Sequence, residues 1–147
     1  MFLGEFYHTI DEKGRLTIPA EFRKVLAGDD GAYLMRGFDR NLMLVTSASF
    51  SIIYERVNHL SMTDPTARLL RRLIFSGAKT VEFDKLGRIL LPLISREGAD
   101  IQVDAVIIGA GDYVEIWSPK LWAAQREQLN DVNVTADRFA ALDLASG

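Results

Sequence analysis

Two short segments hold the residues best suited to chemistry. Asp11-Glu12-Lys13-Gly14-Arg15 and Asp84-Lys85-Leu86-Gly87-Arg88 stand about 73 residues apart, each with an aspartate four places before an arginine and a glycine between them. An Asp that opens a turn accepts nearby backbone amides, and Gly supplies the positive φ such a turn needs. The arginine can fold back onto the carboxylate as a charge-assisted pair. A guanidinium held on a rigid turn suits the O6 and N7 edge of guanine, or a phosphate. The candidate nucleic-acid contacts are therefore Lys13, Arg15, Lys85 and Arg88, with Asp11, Gly14, Asp84 and Gly87 shaping the turns. On local chemistry alone, a motif that merely fixes a turn and its exit into a proline-started helix is an equal reading.

The elements around the two segments repeat as well. The first runs through Leu16, Ile18 and Pro19 to Arg23, the second through Ile89, Leu91 and Pro92 to Arg96. At the same offset Ala32 matches Ala105 and Asp39 matches Asp112. With one residue deleted, Thr46, Ser47 and Phe50 fall on Ser118, Pro119 and Trp122. A period this long, spanning strand-like and helix-like segments, implies two copies of one folding unit. Such a pseudo-twofold object presents paired turns to a partner.

Within unit one, Glu5 to Ile10 reads as a strand, Asp11 to Gly14 as a turn and Leu16 to Ile18 as the return strand. Pro19 suits a helix start; Phe22, Val25 and Leu26 line one face, and Gly28-Asp29-Asp30-Gly31 ends it. Strands at Tyr33 to Met35 and Leu42 to Val45 follow, then a helix capped by Ser47 with Phe50, Ile53, Tyr54 and Val57 on one side. Met62-Thr63-Asp64-Pro65 opens a connecting helix carrying Leu69, Leu70, Leu73 and Ile74. Unit two repeats the order: strands at Lys79 to Phe83 and Arg88 to Leu91, a helix from Pro92, strands near Ala105 to Ile108 and Val114 to Trp117, and a helix opened by Ser118-Pro119. The expected organisation is a first repeat over 1–60, a helical connector over 61–77, a second repeat over 78–130 and a loosely held tail over 131–147, with a short helix around Asp137 to Leu142.

The 147 residues, nearly half apolar, suffice for a sizeable core, and with no cysteine there is neither a disulfide framework nor a thiolate metal site. That fits a reducing cytoplasm. No signal peptide is expected from Met1-Phe2-Leu3-Gly4-Glu5, and the longest apolar stretch, Ala105 to Ile108, is too short to span a bilayer. The net charge of −3 counts against a generic nucleic-acid binder, but it is uneven. Residues 1–73 hold ten Lys/Arg against nine Asp/Glu; residues 74–147 hold seven against eleven. Arg68, Arg71 and Arg72 form a second basic cluster, open to phosphate or to acids across a subunit interface.

Catalysis finds little support. Ile108-Gly109-Ala110-Gly111-Asp112 lacks the third glycine of a dinucleotide loop and leads into a strand, so it reads as a hairpin turn. His8 and His59 lack a second ligand at metal spacing. Asp11 and Asp84 each have an arginine placed to keep them ionised, unlike an acid/base pair. No enzyme activity, cofactor or metal is expected.

The paired motifs, each followed by proline, resemble the AbrB-related swapped-hairpin proteins. A closer likeness is to the MraZ family, carried by Met1-Phe2 with Gly4, HTIDEKGRLTIPAEFR (8–23), MTDPTARLLRRLIFSGA (62–78), FDKLGRILLP (83–92) and VEIWSPKLW (114–122). The resemblance covers about residues 1–130. It implies an α+β fold: a duplicated swapped-hairpin β-barrel core flanked by short helices, pseudo-twofold within one chain. It implies a ring-shaped homo-oligomer in the cytoplasm, associated with the nucleoid. That ring regulates the division and cell-wall genes, as a repressor, by binding short G-containing direct repeats in double-stranded DNA. Lys13 holds the family's basic tip position, whereas the second turn has Leu86 there, which favours the first turn as the main DNA contact. The rival reading is an oligomeric protein-binding scaffold or antitoxin-like module, using the helices around residues 47–60 and 119–129.

Overall fold

A computed structural model of the chain describes residues 1–28 and 31–142. In chain order these form β1 (Glu5–Thr9), β2 (Arg15–Thr17), α1 (Ala20–Leu26), β3 (Ala32–Arg36), β4 (Leu42–Thr46), α2 (Ser47–Asn58), α3 (Pro65–Gly77), β5 (Lys79–Val81), β6 (Arg88–Leu90), α4 (Leu93–Gly98), β7 (Asp104–Gly109), β8 (Val114–Trp117) and α5 (Pro119–Leu129). A π-helical turn at Val134–Arg138 and a 3-10 turn at Ala140–Leu142 follow. The expected glycine-and-aspartate stop after α1 includes Asp29 and Asp30, which lie outside the described residues, as does the tail beyond Leu142.

The strand pairings cross between the halves. β3 and β4 form one hairpin and β7 and β8 another, and the two join through β4 and β8, where Leu42 faces Ile116 and Leu44 faces Val114. β1 then pairs with β7, from Glu5 opposite Ile108 to Thr9 opposite Asp104. β5 pairs with β3. The result is an antiparallel sheet in the order β1-β7-β8-β4-β3-β5, with β2 and β6 paired separately as a two-stranded ribbon. Each half thus places its first strand on the other half's hairpin.

This is an antiparallel α+β fold, but its strands do not close into the barrel that the resemblance implies. β1 and β5 end as the two edges of the six-stranded sheet. The reason lies beyond β1 and β5: the strands that follow the turns at Gly14 and Gly87, β2 and β6, bond each other instead of bridging the edges. The ribbon still covers the sheet through side chains. Leu16 and Ile89, opposite each other at its centre, share one buried cluster with Leu34, Leu44, Ile107 and Ile116 of the sheet and with Phe22 and Leu26 of α1.

The four central strands, β3, β4, β7 and β8, are largely apolar on both faces, which explains runs such as Leu42-Met43-Leu44-Val45 that do not alternate with polar residues. Leu42 and Leu44 face the ribbon side, while Met35, Met43 and Val45 pack with Val57 of α2 and Ile74 of α3 on the other. On α3, Ala67 and Ile74 are buried but Leu69 is 65% exposed, so the connector's apolar stripe is only partly covered. Among the described residues no helix is long and apolar enough to cross a membrane.

Helix starts follow the local chemistry with one correction. Asp64 and Ser118 cap α3 and α5, accepting the amides of Thr66 and Leu121. For α2 the cap is Thr46, whose Oγ1 accepts the Ser49 amide at 3.2 Å, rather than Ser47. Thr46 is the last extended residue of β4, so its side chain sits before the first helical turn, where a cap must be. The glycines of 108–112 likewise have a packing role. Gly111, at φ +83°, exchanges backbone hydrogen bonds with Phe2, and a β-carbon on Gly109 would overlap the backbone between Phe2 and Leu3. On the outer edge, Tyr7 Oη and Trp122 Nε1 both donate to Glu5, tying α5 to β1 and holding that carboxyl below its ordinary range.

The centre of the ribbon is the support on which both turns stand. Ile89→Ala is expected to lower stability by about 2–5 kcal/mol, the usual cost of emptying a buried aliphatic site. Urea unfolding reads this directly, and a loss below about 1 kcal/mol would mean the ribbon is peripheral to the core.

Candidate nucleic-acid interface

Each Asp-x-x-Gly-Arg segment folds as a closed turn. In the first, Asp11 Oδ1 accepts the amides of Lys13 at 3.0 Å and Arg15 at 2.8 Å, while Oδ2 accepts Arg15 Nε at 2.6 Å. In the second, Asp84 Oδ1 accepts the amides of Leu86 and Arg88, both at 2.9 Å, and Oδ2 accepts Arg88 Nε at 2.8 Å. Gly14 and Gly87 donate back to the Asp11 and Asp84 carbonyls at 3.0 Å and take φ of +86° and +75°. That left-handed backbone is why glycine stands there.

The period-two geometry of the ribbon aims the arginines. Leu16 and Ile89 point into the core, so Arg15 and Thr17 on β2, and Arg88 and Leu90 on β6, share the opposite, outward face. Register sets Arg15 opposite Leu90 and Thr17 opposite Arg88, placing the two guanidiniums diagonally across the ribbon. The turns are bonded to each other's halves: Ile18 donates to the Gly87 carbonyl at 3.1 Å and Leu91 to the Gly14 carbonyl at 2.8 Å.

The two turns differ in detail. Arg88 Nη1 also reaches Asp11 Oδ2 at 3.4 Å, so it spans both carboxylates, and its side chain is 23% exposed. Arg15 is held by Asp11 through Nε alone, with its side chain 35% exposed. Its terminal nitrogens have no hydrogen bond among the described residues. The tips differ too: Lys13 is exposed on the first, and Lys85 with a 68% exposed Leu86 on the second.

All eight residues singled out from the sequence therefore lie on or beside one ribbon. The other basic cluster does not join them. Arg71 is clamped on the end of α2 by Asn58 and the Leu60 carbonyl, and Arg68 donates to the Met62 carbonyl, so both are engaged within the chain. Arg72 is exposed on α3. What the residue-by-residue reading missed is Thr17 and Leu90, the outward neighbours of the arginines. The alternation Arg15-Leu16-Thr17 and Arg88-Ile89-Leu90 was the available signal.

Both aspartates are held below the ordinary carboxylate range. The main cause is the backbone amide of the arginine four places on; that arginine's side chain adds to it, against an opposing desolvation cost. Folding lowers these values, so their stabilisation is present above the unfolded aspartate value and is lost as pH falls through the folded one. Wild type is thus expected to be more stable than an Asp11→Asn/Asp84→Asn variant at neutral pH, with the gap closing below about pH 4. Thermal melting of both proteins across pH measures the gap; one that stays constant into strong acid would show that these carboxylates do not hold the turns as ions.

A duplicated turn and a pseudo-twofold ribbon find a direct parallel among known proteins. The family described as "MraZ protein, putative antitoxin-like" matches residues 1–73 and again residues 74–144, one match to each half. The chain is 50% identical over 129 residues to the Transcriptional regulator MraZ of Thermomicrobium roseum, covering 88% of this chain and 89% of that one. It is 47% identical over 131 residues to the Transcriptional regulator MraZ of Herpetosiphon aurantiacus, covering 89% and 90%. With the protein of the same name from Desulfitobacterium hafniense it shares 43% identity over 136 residues, 92% and 94% of the two chains. On its doubled turn, its two matched halves and these relatives, the chain belongs to the MraZ family.

Proposed function

We propose that this protein is a sequence-specific DNA-binding transcriptional regulator whose reader is the outward face of the β2–β6 ribbon. One observation carries the proposal: Arg15 and Arg88 are locked by Asp11 and Asp84 through Nε on that face. A guanidinium fixed through Nε alone, as on Arg15, still has its Nη edge to offer, and that edge matches guanine O6 and N7; Arg88, whose Nη1 reaches Asp11, keeps Nη2. Lys13 and Lys85 at the tips are suited to flanking phosphates. The crosswise strand pairing supports a swapped-hairpin core, with repeats over 1–60 and 78–130 joined by a connector over 61–77.

Charge sets how this reader must work. Residues 11–15 carry two carboxylates and two cations, so a single turn gains little general attraction to DNA. Linking several copies makes each later contact intramolecular and raises avidity. A cyclic ring has head-to-tail contacts, so all its subunits face the same way round, as direct repeats do. A ring homo-oligomer on short direct repeats upstream of division and cell-wall genes, acting in the cytoplasm as a repressor, is the arrangement that suits a weak, directional reader. The names carried by the relatives agree with transcriptional regulation.

The test is fluorescence anisotropy on the protein's own upstream DNA and a scrambled duplex at two salt concentrations. Arg15→Ala is expected to cost about 1–3 kcal/mol of discrimination for each guanine it no longer reads, leaving weak binding to both duplexes. Unchanged selectivity would move the reader elsewhere, and equal weak binding by wild type would favour a protein-binding scaffold. A monomeric variant that keeps Arg15 is expected to lose most of its affinity; one as tight as wild type would refute the need for a ring. Leu86→Lys, which gives the second tip the cation of the first, is expected to steepen the salt dependence by roughly 0.9 per subunit engaged. An unaltered slope would mean the second tip stays clear of the phosphates.

A further inference from the structure

Arg23 and Arg96 recur at the same spacing as the turn arginines, yet neither belongs to the outward face of the ribbon. We infer that each is a positioning residue for the turn of the opposite half: Arg96 holds the turn that carries Arg15, and Arg23 holds the turn that carries Arg88. For its consequence in DNA binding this rests on the function proposed above; for its geometry it does not.

Arg96 lies in the last turn of α4 and is half-buried. Its Nε donates to the Leu91 carbonyl at 2.9 Å, and a β-carbon built on Gly14 would lie 2.9 Å from its Nη2. Leu91 in turn donates its amide to the Gly14 carbonyl. Leu91, Arg96 and Gly14 therefore close a circuit across the two halves. The equivalent circuit is built from Ile18, Arg23 and Gly87. Arg23 Nη1 donates to the Ile18 carbonyl at 2.8 Å, Ile18 donates to the Gly87 carbonyl, and a β-carbon on Gly87 would overlap the Arg23 guanidinium.

Glycine thus has two reasons to occupy each turn: the positive φ, and the flat cation packed against its α-carbon. A guanidinium suits this slot because it is planar and can donate in its own plane to a carbonyl while it occupies the space a β-carbon would fill. A lysine keeps the charge and the stem but presents no plate. The ordinary alternative is that these arginines only favour the carboxyl ends of their own helices, α1 and α4, as cations in a last turn do. The two roles differ in where a mutation is felt: the helix role is felt in the same half, the bracing role in the other.

Hydrogen–deuterium exchange of the full-length protein, read on the turns themselves at residues 11–15 and 84–88 and leaving out Ile18 and Leu91, whose amides donate to the opposite turn, separates them. Arg96→Ala is expected to speed exchange in 11–15 and spare 84–88, and Arg23→Ala to do the reverse. The lysine variants, milder should an alanine variant fold poorly, are expected to show the same crosswise pattern at smaller amplitude. Alongside, anisotropy on the upstream duplex is expected to show Arg96→Ala weakening selective binding about tenfold, the scale of one misplaced base contact, with scrambled DNA bound as by wild type. Faster exchange confined to each variant's own helix, or equal in both turns, would overturn the crosswise bracing. Crosswise loosening with selective binding unchanged would leave the brace standing and overturn the ribbon as the DNA reader.

Discussion

The pairing of three residues of β2 with three of β6 is the constraint from which the rest follows. Neither strand is long enough to be stable as part of its own half, and a lone two-stranded ribbon is marginal in water. The ribbon persists because Leu16 and Ile89 close the core from above, fully buried against both sheet hairpins. Since side chains alternate along a strand, burying those two residues fixes Arg15 and Arg88 on the outside. A slip of one residue would put guanidiniums in the core and leucine in water. The hydrophobic core and the candidate reader are therefore two faces of one six-residue element, and the core specifies the reader's geometry.

That coupling gives physical sense to the proposal that an acidic protein binds DNA. A reader built from mobile lysines needs high positive charge, because attraction to phosphate carries little geometric information. Here the guanidiniums are prefixed by carboxylates, which remove net charge while they add rigidity. Affinity per site falls and selectivity per site rises. The missing affinity is what several linked copies on one duplex can restore. In the proposed reader the Asp–Arg pair is thus both the reason for weak individual binding and the reason such binding can discriminate.

Much of this was legible in the residues because it is local. Asp, Gly and Arg at fixed offsets define the turn chemistry, and Pro19, Pro92, Asp64 and Ser118 announce helix starts that the structure places within a residue or so of expectation. The duplication was equally plain, since it needs only comparison of the chain with itself. What stayed hidden depends on pairing across the chain. No local signal says that β1 bonds β7 instead of its own half's hairpin, or that the two ribbon strands leave the sheet edges open. Thr46 and Ser47 are both good caps, and only the end of β4 decides between them. Arg71 looked available for phosphate until α3 was seen to lie against the end of α2, where backbone carbonyls take its donors.

The remaining asymmetry has a reason that symmetry itself supplies. In a dimer of identical chains every contact about the twofold occurs in matched pairs, so both turns must be the same. Joining the halves in one chain lifts that requirement. The second turn could exchange the lysine of the tip for Leu86, and Arg88 could span both carboxylates while Arg15 keeps its outer edge free. One chain then carries a more exposed turn arginine, Arg15, and a more enclosed one, Arg88. A pair of unlike turns has a direction along the ribbon, which a true twofold would cancel. In the proposed ring, where subunits follow one another in the same sense, that direction is kept from copy to copy. A directional reader on such a ring would select repeats that all point one way, so the divergence of the two turns and the proposed direct-repeat target would share one physical origin.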